Sequence, residues 1–273
     1  MRTAISNLKL FEPRTLGEAL RMLRDEGPLI PIAGCTDVYV SLNLGTLPGR
    51  NFLNLWALNE LRRIETQNEI LSVGALVTYS RMIRSRLVNR RLPILAAAAR
   101  EVGATQIQNR GTVGGNIANA SPAGDTLPVL AVAEATVVLR SADRIRRVKF
   151  NQFYLGYRKT VMHSDELIIA VEIPALDGKQ WFRKAGSRAV QTISKVVMAA
   201  IRGPHPRIAL GSVAPTVIRV PKTEEYLSSG GSLEEAQQML MEEIDPIDDL
   251  RSTALYRRRV SANLLARFWK ETA

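Results

Sequence analysis

A run of small residues between positions 112 and 125 constrains this chain more than any other feature. Its sequence, TVGGNIANASPAGD, holds three glycines and one proline, and only Val113 and Ile117 are bulky. Such a segment keeps backbone N–H groups accessible and lets another molecule approach the main chain closely. The apolar stretch that follows predicts a helix with Asp125 or Thr126 near its N-cap. A small-residue loop leading into a helix N-terminus is a typical phosphate site.

A second segment of the same kind, PIAGCTD, occupies positions 31–37. It follows a short apolar run that predicts a buried strand, and Thr36 or Asp37 is placed to cap the next element. Two strand–loop–helix corners suit a ligand with two phosphates, because their N–H groups can surround a diphosphate from opposite sides. The sequence has neither GxGxxG after the first strand nor GxxxxGK(S/T). The main sequence evidence for a Rossmann or a P-loop nucleotide site is therefore missing.

Both segments closely resemble the FAD-binding medium subunit of the molybdenum hydroxylases, a family that includes xanthine dehydrogenase and carbon monoxide dehydrogenase. The resemblance rests on AGCTD at 33–37, TVGGNI at 112–117 and ASPAGD at 120–125. It continues in TQIQNRG at 105–111, in FRKAGSR at 182–188 and in the closing segment from position 249. The likeness therefore covers nearly the whole chain.

The resemblance implies an oxidoreductase subunit whose cofactor is FAD. In such an enzyme the flavin takes electrons from a [2Fe-2S] small subunit and passes them to NAD⁺ or another acceptor. The substrate is hydroxylated on a separate molybdopterin-containing large subunit, and no residue of the flavin subunit is itself catalytic, because the flavin carries the redox step. Two alternatives stay open: a stand-alone FAD-dependent oxidoreductase, and a scaffold subunit that keeps the fold without the cofactor.

The same resemblance implies a set of cofactor-binding residues, which are Pro31, Ile32, Ala33, Gly34, Cys35, Thr36, Asp37, Thr112, Val113, Gly114, Gly115, Asn116, Ser121, Asp125, Leu167, Ile168 and Lys184. The two glycine segments would enclose the diphosphate and the ribityl chain. Asp125 would bind sugar hydroxyls, with Ser121 near the nucleotide and Leu167 or Ile168 as an apolar contact. Lys184 would contact polar atoms of the flavin, near its N1–C2=O edge. The simpler interpretations are that Asp125 only caps a helix and that Lys184 lies on an exposed strand edge.

Cys35 departs from the resembled pattern, which usually has a second glycine at this position. A residue with a side chain at this position is expected to adopt ordinary backbone dihedral angles and to serve in packing. The alternative is a reactive thiol or a covalent bond to the flavin. As the single cysteine, Cys35 excludes an internal disulfide and favours a cytoplasmic location. His163 and His205 are the only other soft ligands, so no metal site is predicted.

The net charge of +11 is spread along several segments, and aromatic residues make up only 5% of the chain. A nucleic-acid-binding protein would concentrate that charge beside aromatic residues or a helix-turn-helix motif, so no nucleic-acid partner is predicted. Solvated faces, or contact with more acidic partner subunits, account for the charge better. No apolar run reaches the roughly 20 residues needed to cross a bilayer, so no membrane span is predicted either.

The element pattern predicts an α+β protein with a boundary near residue 175. Residues 1–175 are expected to form the FAD-binding domain as two α/β subdomains. Residues 176–273 are expected to form a C-terminal domain with a three-stranded antiparallel sheet followed by helices. The last helix is predicted to begin after Ser252 as its N-cap.

Overall fold

The computed structural model describes residues 8–47, 49–189 and 191–273. Its helices and strands form three successive units, each built around its own sheet. The first sheet is parallel, whereas the strands of the two larger sheets pair in antiparallel fashion. The predicted α+β class is therefore confirmed.

The N-terminal unit is a small parallel sheet with one amphipathic helix packed on it. Its elements are β1 (Lys9–Phe11), α1 (Leu16–Asp25), β2 (Ile30–Ile32), α2 (Val38–Leu44) and β3 (Asn51–Asn54). The strands pair in the order β1–β3–β2. Helix α1 begins after Thr15, whose hydroxyl accepts a hydrogen bond from the Glu18 N–H, and it buries Leu16, Leu20 and Leu23 along one face.

The middle unit is a five-stranded sheet covered by short helices. Its elements are β4 (Ile64–Gln67), β5 (Ile70–Gly74), α3 (Tyr79–Arg84), α4 (Arg86–Arg91), α5 (Pro93–Arg100), α6 (Thr105–Arg110), α7 (Val113–Asn119), α8 (Leu127–Val132), β6 (Thr136–Arg140), β7 (Ile145–Lys149), β8 (Tyr154–Gly156), β9 (Lys159–Thr160) and β10 (Leu167–Ile173). The large sheet has the order β4–β5–β10–β6–β7, and β8 and β9 form a separate hairpin. Buried Ala96, Ala98 and Ala99 let α5 pack closely against its neighbours.

The C-terminal unit is an antiparallel sheet covered by three helices. Its elements are β11 (Lys179–Ala185), β12 (Val196–Arg202), β13 (Arg207–Gly211), β14 (Ile218–Arg219), α9 (Pro221–Ser228), α10 (Leu233–Glu243) and α11 (Ala254–Glu271). The three predicted strands are present, and the two-residue β14 adds a fourth at the edge. The predicted N-cap of the last helix is wrong by one position, because the Thr253 side chain, not that of Ser252, accepts the hydrogen bond from the Tyr256 N–H.

Strand β12 is buried on both faces and joins the middle and C-terminal units. Val197, Ala199 and Ile201 belong to the apolar cluster of the middle unit. Met198 and Ala200, which alternate with them, belong to the cluster beneath α10 and α11. Because successive side chains of a strand point to opposite faces, one strand completes both cores. Within the described residues, no helix is both long and apolar enough to cross a membrane.

Candidate functional site

A cavity of about 470 Å³ lies between the N-terminal and middle units. Three segments line it: residues 28–38 around the end of β2, residues 111–119 around α7, and residues 162–168 before and within β10. Its volume is in the range of ligand pockets, which are typically about 300–1,000 Å³. The two glycine segments meet at the cavity wall. There Gly34 of the first segment contacts the main chain of Arg110, which leads into the second segment and is 76 positions further along the chain.

Gly34 is the point of closest contact between the two segments. A Cβ atom on Gly34 would lie 1.8 Å from the carbonyl oxygen of Arg110 and 2.5 Å from its carbonyl carbon. Only glycine fits this contact, since the opposing atoms belong to the main chain. The contact holds the loop at 33–37 against the residue that precedes Gly111 in the cavity wall.

The loop at 33–37 presents unused backbone donors to the cavity. Within the described part of the chain, no hydrogen bond takes up the N–H groups of Gly34, Cys35, Thr36 or Asp37. Asp37 occupies the N-cap position of α2, but its side chain makes no capping hydrogen bond. Unpaired main-chain donors that line a cavity are a common means of binding phosphate oxygens.

Cys35 adopts a left-handed backbone conformation with φ of 61°, which corrects the expectation of ordinary dihedral angles. This region favours glycine, so the cysteine keeps a loop shape that a glycine would adopt with less strain. Its thiol contacts the carbonyl oxygen of Ala33 at 3.6 Å. Burial raises the pKa of the Cys35 thiol, against the opposing effect of the Arg110 charge, so the thiolate is disfavoured.

The second glycine segment is a helix rather than the open loop that its composition predicts. Helix α7 starts after Thr112, whose hydroxyl accepts a hydrogen bond from the Gly115 N–H at 3.1 Å. The N–H of Val113 donates to Val77, and that of Gly114 donates to Ala75. The first-turn donors of α7 are therefore already bound within the protein, so in this arrangement those N–H groups are not free to bind a diphosphate.

The glycines of α7 serve close packing instead. A Cβ atom on Gly114 would lie 2.7 Å from the side chain of Ala75 and 2.8 Å from its carbonyl oxygen. This approach brings the start of α7 against the end of β5. Asn116 follows in the cavity wall, and its side-chain oxygen accepts a hydrogen bond of 2.7 Å from the Thr126 hydroxyl.

The third wall of the cavity carries a buried carboxylate. Glu166 is 2% exposed and accepts hydrogen bonds from the Arg146 guanidinium at 2.6 and 2.8 Å and from the His163 N–H at 2.9 Å. Burial alone would raise the pKa of Glu166, but these hydrogen bonds outweigh it and the net pKa is lowered. The fixed turn at 163–166 delivers Leu167 and Ile168 to the cavity.

Lys184 and Asp125 form a buried ion pair near the junction of the middle and C-terminal units. Lys184 Nζ lies 2.8 Å from the Asp125 carboxylate and 2.9 Å from the Glu101 carbonyl oxygen. The Ser194 hydroxyl donates to the same carboxylate at 2.5 Å. Burial raises the pKa of Asp125, against the opposing charge of Lys184. Two simpler expectations are wrong: Asp125 does not cap α8, and Lys184 is not on an exposed edge.

Most of the predicted binding residues line the cavity together, and four do not. Those in its wall are Pro31, Ile32, Ala33, Gly34, Cys35, Thr36, Asp37, Thr112, Gly114, Gly115, Asn116, Leu167 and Ile168. Val113 is buried behind α7, and Ser121 accepts the Ala123 N–H in the turn that follows. Asp125 and Lys184 belong to the ion pair described above.

Sequence reasoning missed Tyr79, His163 and Glu166, all of which line the cavity. Tyr79 carries no local motif, and its place follows from a hydrogen bond of its N–H to the Gly111 carbonyl. His163 is half exposed, and the Arg144 guanidinium lies 2.7 Å from its Nδ1. The one local signal for this wall is the acidic pair Asp165 and Glu166, directly before β10. The described residues hold no cluster of metal-ligating side chains.

Two family models cover almost the entire chain. The FAD binding domain in molybdopterin dehydrogenase matches residues 6–176, and the CO dehydrogenase flavoprotein C-terminal domain matches residues 182–272. These matches define an FAD-binding subunit of an oxidoreductase.

Named relatives and solved structures agree with the family models. The chain is 30% identical to the glyceraldehyde dehydrogenase medium chain of Sulfolobus acidocaldarius over 271 residues, covering 95% of this chain and 96% of the relative. It is also 30% identical to the carbon monoxide dehydrogenase medium chain of Hydrogenophaga pseudoflava, covering 93% of each. A structure of carbon monoxide dehydrogenase from that organism, lacking the Mo-pyranopterin moiety, superposes with a TM-score of 0.91 at 26% identity, covering 98% of this chain and 99% of the other.

The chain belongs to the family of FAD-binding medium subunits of the molybdenum hydroxylases, and its cofactor is FAD. The resemblance found in the sequence, the oxidoreductase class and the cofactor are thereby confirmed. The cavity fits that cofactor, because the Gly34 contact and the open N–H groups beside it suit a diphosphate.

Proposed function

We propose that this chain transfers electrons within a three-subunit molybdenum hydroxylase. It would receive them from a [2Fe-2S] small subunit and deliver them to NAD⁺ or another acceptor, while a molybdopterin-containing large subunit oxidises the substrate. The observation that carries the proposal is the cavity wall at 33–37, with its free main-chain donors. The relatives' names, "medium chain" and "FAD-binding subunit", support an assembly of several subunits.

Bound FAD would supply the exchange between one-electron and two-electron carriers. The protein's own task is to bind and orient it. The N–H groups of residues 34–37 would hold the diphosphate, and Gly34 keeps their loop against the Arg110 carbonyl. Thr112, Gly114, Gly115 and Asn116 would form the facing wall, with Leu167 and Ile168 as apolar contacts.

Lys184 and Asp125, which lie outside the cavity lining, would act on the flavin from the junction of the middle and C-terminal units, as the resemblance implies. Lys184 carries a cation that is only 3% exposed, in a site where Asp125 and the Glu101 carbonyl fix its position. A buried cation acts strongly on negative charge that develops nearby, because little solvent screens it. We infer that Lys184 favours the reduced, anionic flavin, and that Asp125 and Ser121 serve the nucleotide side as the resemblance implies.

The absorption spectrum of the purified chain tests the cofactor assignment. Flavin bands that survive desalting, with FAD released on denaturation, are the expected result. A colourless chain that also fails to take up added FAD would contradict it. For Lys184, the Lys184→Met variant should lower the midpoint potential of the bound flavin while Lys179→Met, at an exposed position, leaves it unchanged. Equal potentials in wild type and Lys184→Met would refute the proposed role.

A further inference from the structure

Two arginines stack on one tryptophan beside the cavity wall, and the charge of a third acts on one of them. The Arg110 guanidinium lies 3.8 Å from the Trp56 ring centroid, and that of Arg62 lies 4.3 Å from it. Two guanidinium groups are too large to share one face of the ring at these distances, so they cover opposite faces. Arg81 is close enough for its charge to act on Arg62. We call Trp56, Arg62, Arg81 and Arg110 the arginine platform.

The arginine platform is held in place by the protein main chain. Arg62 donates to the Trp56 carbonyl at 2.5 Å and to the Leu76 carbonyl at 3.4 Å. Burial and the charges of Arg81 and Arg110 lower the pKa of Arg62. Like charges this close repel one another, and an anion near them would relieve that repulsion.

Among the described residues, no carboxylate lies within ion-pair distance of Arg62, Arg81 or Arg110. Arg146 and Arg219, by contrast, are paired with Glu166 and Glu224 within the protein. Arg81 and Arg110 are exposed, and their side chains make no hydrogen bond to any residue that the structure describes. The positive charges of Arg81 and Arg110 therefore face solvent without a carboxylate partner among the described residues.

The arginine platform adjoins the cofactor cavity without lining it. Leu76, which accepts a hydrogen bond from Arg62, is in the cavity wall, and so is Gly111, next to Arg110. The charge of Arg110 also acts on the Cys35 thiol inside the cavity. A molecule bound to the arginine platform would thus sit close to the cofactor cavity.

We infer that the arginine platform is the docking surface for an acidic patch on the [2Fe-2S] subunit. This inference rests on the proposed electron-transfer role, which requires the donor subunit to bind close to the flavin. Arginine and tryptophan are enriched at protein interfaces, and guanidinium groups bind carboxylates in pairs of parallel hydrogen bonds. Nucleic acid is disfavoured because both faces of Trp56 are covered, which leaves no aromatic surface for a base.

Charge reversal on the full-length, FAD-loaded chain tests the inference. The Arg81→Glu/Arg110→Glu variant should weaken binding of the purified [2Fe-2S] subunit of the same enzyme by at least about tenfold at low salt, and the effect should shrink as NaCl is added. Arg81→Glu alone, which removes no packing contact, should weaken binding in the same direction. The matched control is Arg14→Glu/Arg90→Glu, which changes the net charge equally at exposed positions that are not part of the arginine platform.

The outcomes separate this inference from the proposed function. Suppose that all variants retain FAD and that the charge-reversal variants bind the [2Fe-2S] subunit as tightly as wild type, or as tightly as the control. The arginine platform is then not the docking surface, and the proposed function stands. Loss of affinity for a single-stranded DNA oligomer, with subunit binding unchanged, would also overturn it. If wild type neither retains FAD nor binds the [2Fe-2S] subunit, the proposed function fails, and the inference fails with it.

Discussion

Replacing Gly34 by alanine should remove FAD binding through a clash that the main chain cannot avoid. The added Cβ would lie 1.8 Å from the Arg110 carbonyl oxygen and 3.1 Å from the Gly111 nitrogen. Ordinary contact begins near 3.4 Å, so the two segments must separate by about 1.6 Å. Two of the three cavity walls belong to these segments, and displaced donors lose hydrogen bonds worth roughly 1.5–3 kcal/mol each to a charged group. Losing two of them predicts an FAD affinity at least about 100-fold weaker.

Fluorescence titration of the apoprotein with FAD measures this loss directly, and urea unfolding reports whether the chain still folds. The control is Gly17→Ala, in helix α1, where the nearest atom to the added Cβ is the flexible end of Arg21 at 3.7 Å. Because alanine stabilises a helix relative to glycine, this variant should gain up to about 1 kcal/mol and bind FAD normally. A Gly34→Ala chain that binds FAD within threefold of wild type would refute the steric argument.

Three further substitutions test the other walls of the cavity. Cys35→Gly should stabilise the chain to urea by about 0.5–1 kcal/mol, because glycine tolerates the φ of 61° at this position; a loss of stability would contradict this. Thr112→Ala should cost about 1 kcal/mol in the same assay, since the Gly115 N–H loses its capping partner. Glu166 has a pKa below its usual 4.5, so its stabilising contribution is present above that pH and is lost as the pH falls through the lowered value. Glu166→Gln should therefore be less stable than wild type at pH 7, and the gap should narrow toward pH 3; a gap that does not change with pH would disprove this.

The sequence was most informative where one residue type is forced by a local contact. Gly34 was identified as a site residue, and the structure explains it by an approach that excludes any Cβ. The glycines of α7 were identified for the wrong reason. Their small size indicated an open loop, but Thr112 caps a helix there, and the N–H of Gly114 is used by Ala75. Composition reports how closely two segments can approach, and only the fold decides which hydrogen bonds the main chain makes.

Long-range contacts were beyond sequence reasoning for the same reason. Asp125 precedes α8, and its position suggested a cap, yet its carboxylate is bound by Lys184, 59 positions further on. No local pattern predicts that pairing. His163 and Arg144 are likewise joined only because the hairpin of β6 and β7 places them beside the turn that leads into β10.

The cofactor cavity depends on the C-terminal unit, although none of the described residues of that unit lines it. Strand β12 contributes Val197 and Ala199 to the core on which α8 packs. Lys184 and Ser194, from the same unit, complete the coordination of the Asp125 carboxylate, which would otherwise be a buried and unmatched charge. Asp125 lies between α7, in the cavity wall, and α8, so its charge is compensated only when the middle and C-terminal units are assembled. The folding of the C-terminal unit and the shape of the flavin site are thus linked through one buried ion pair and one shared strand.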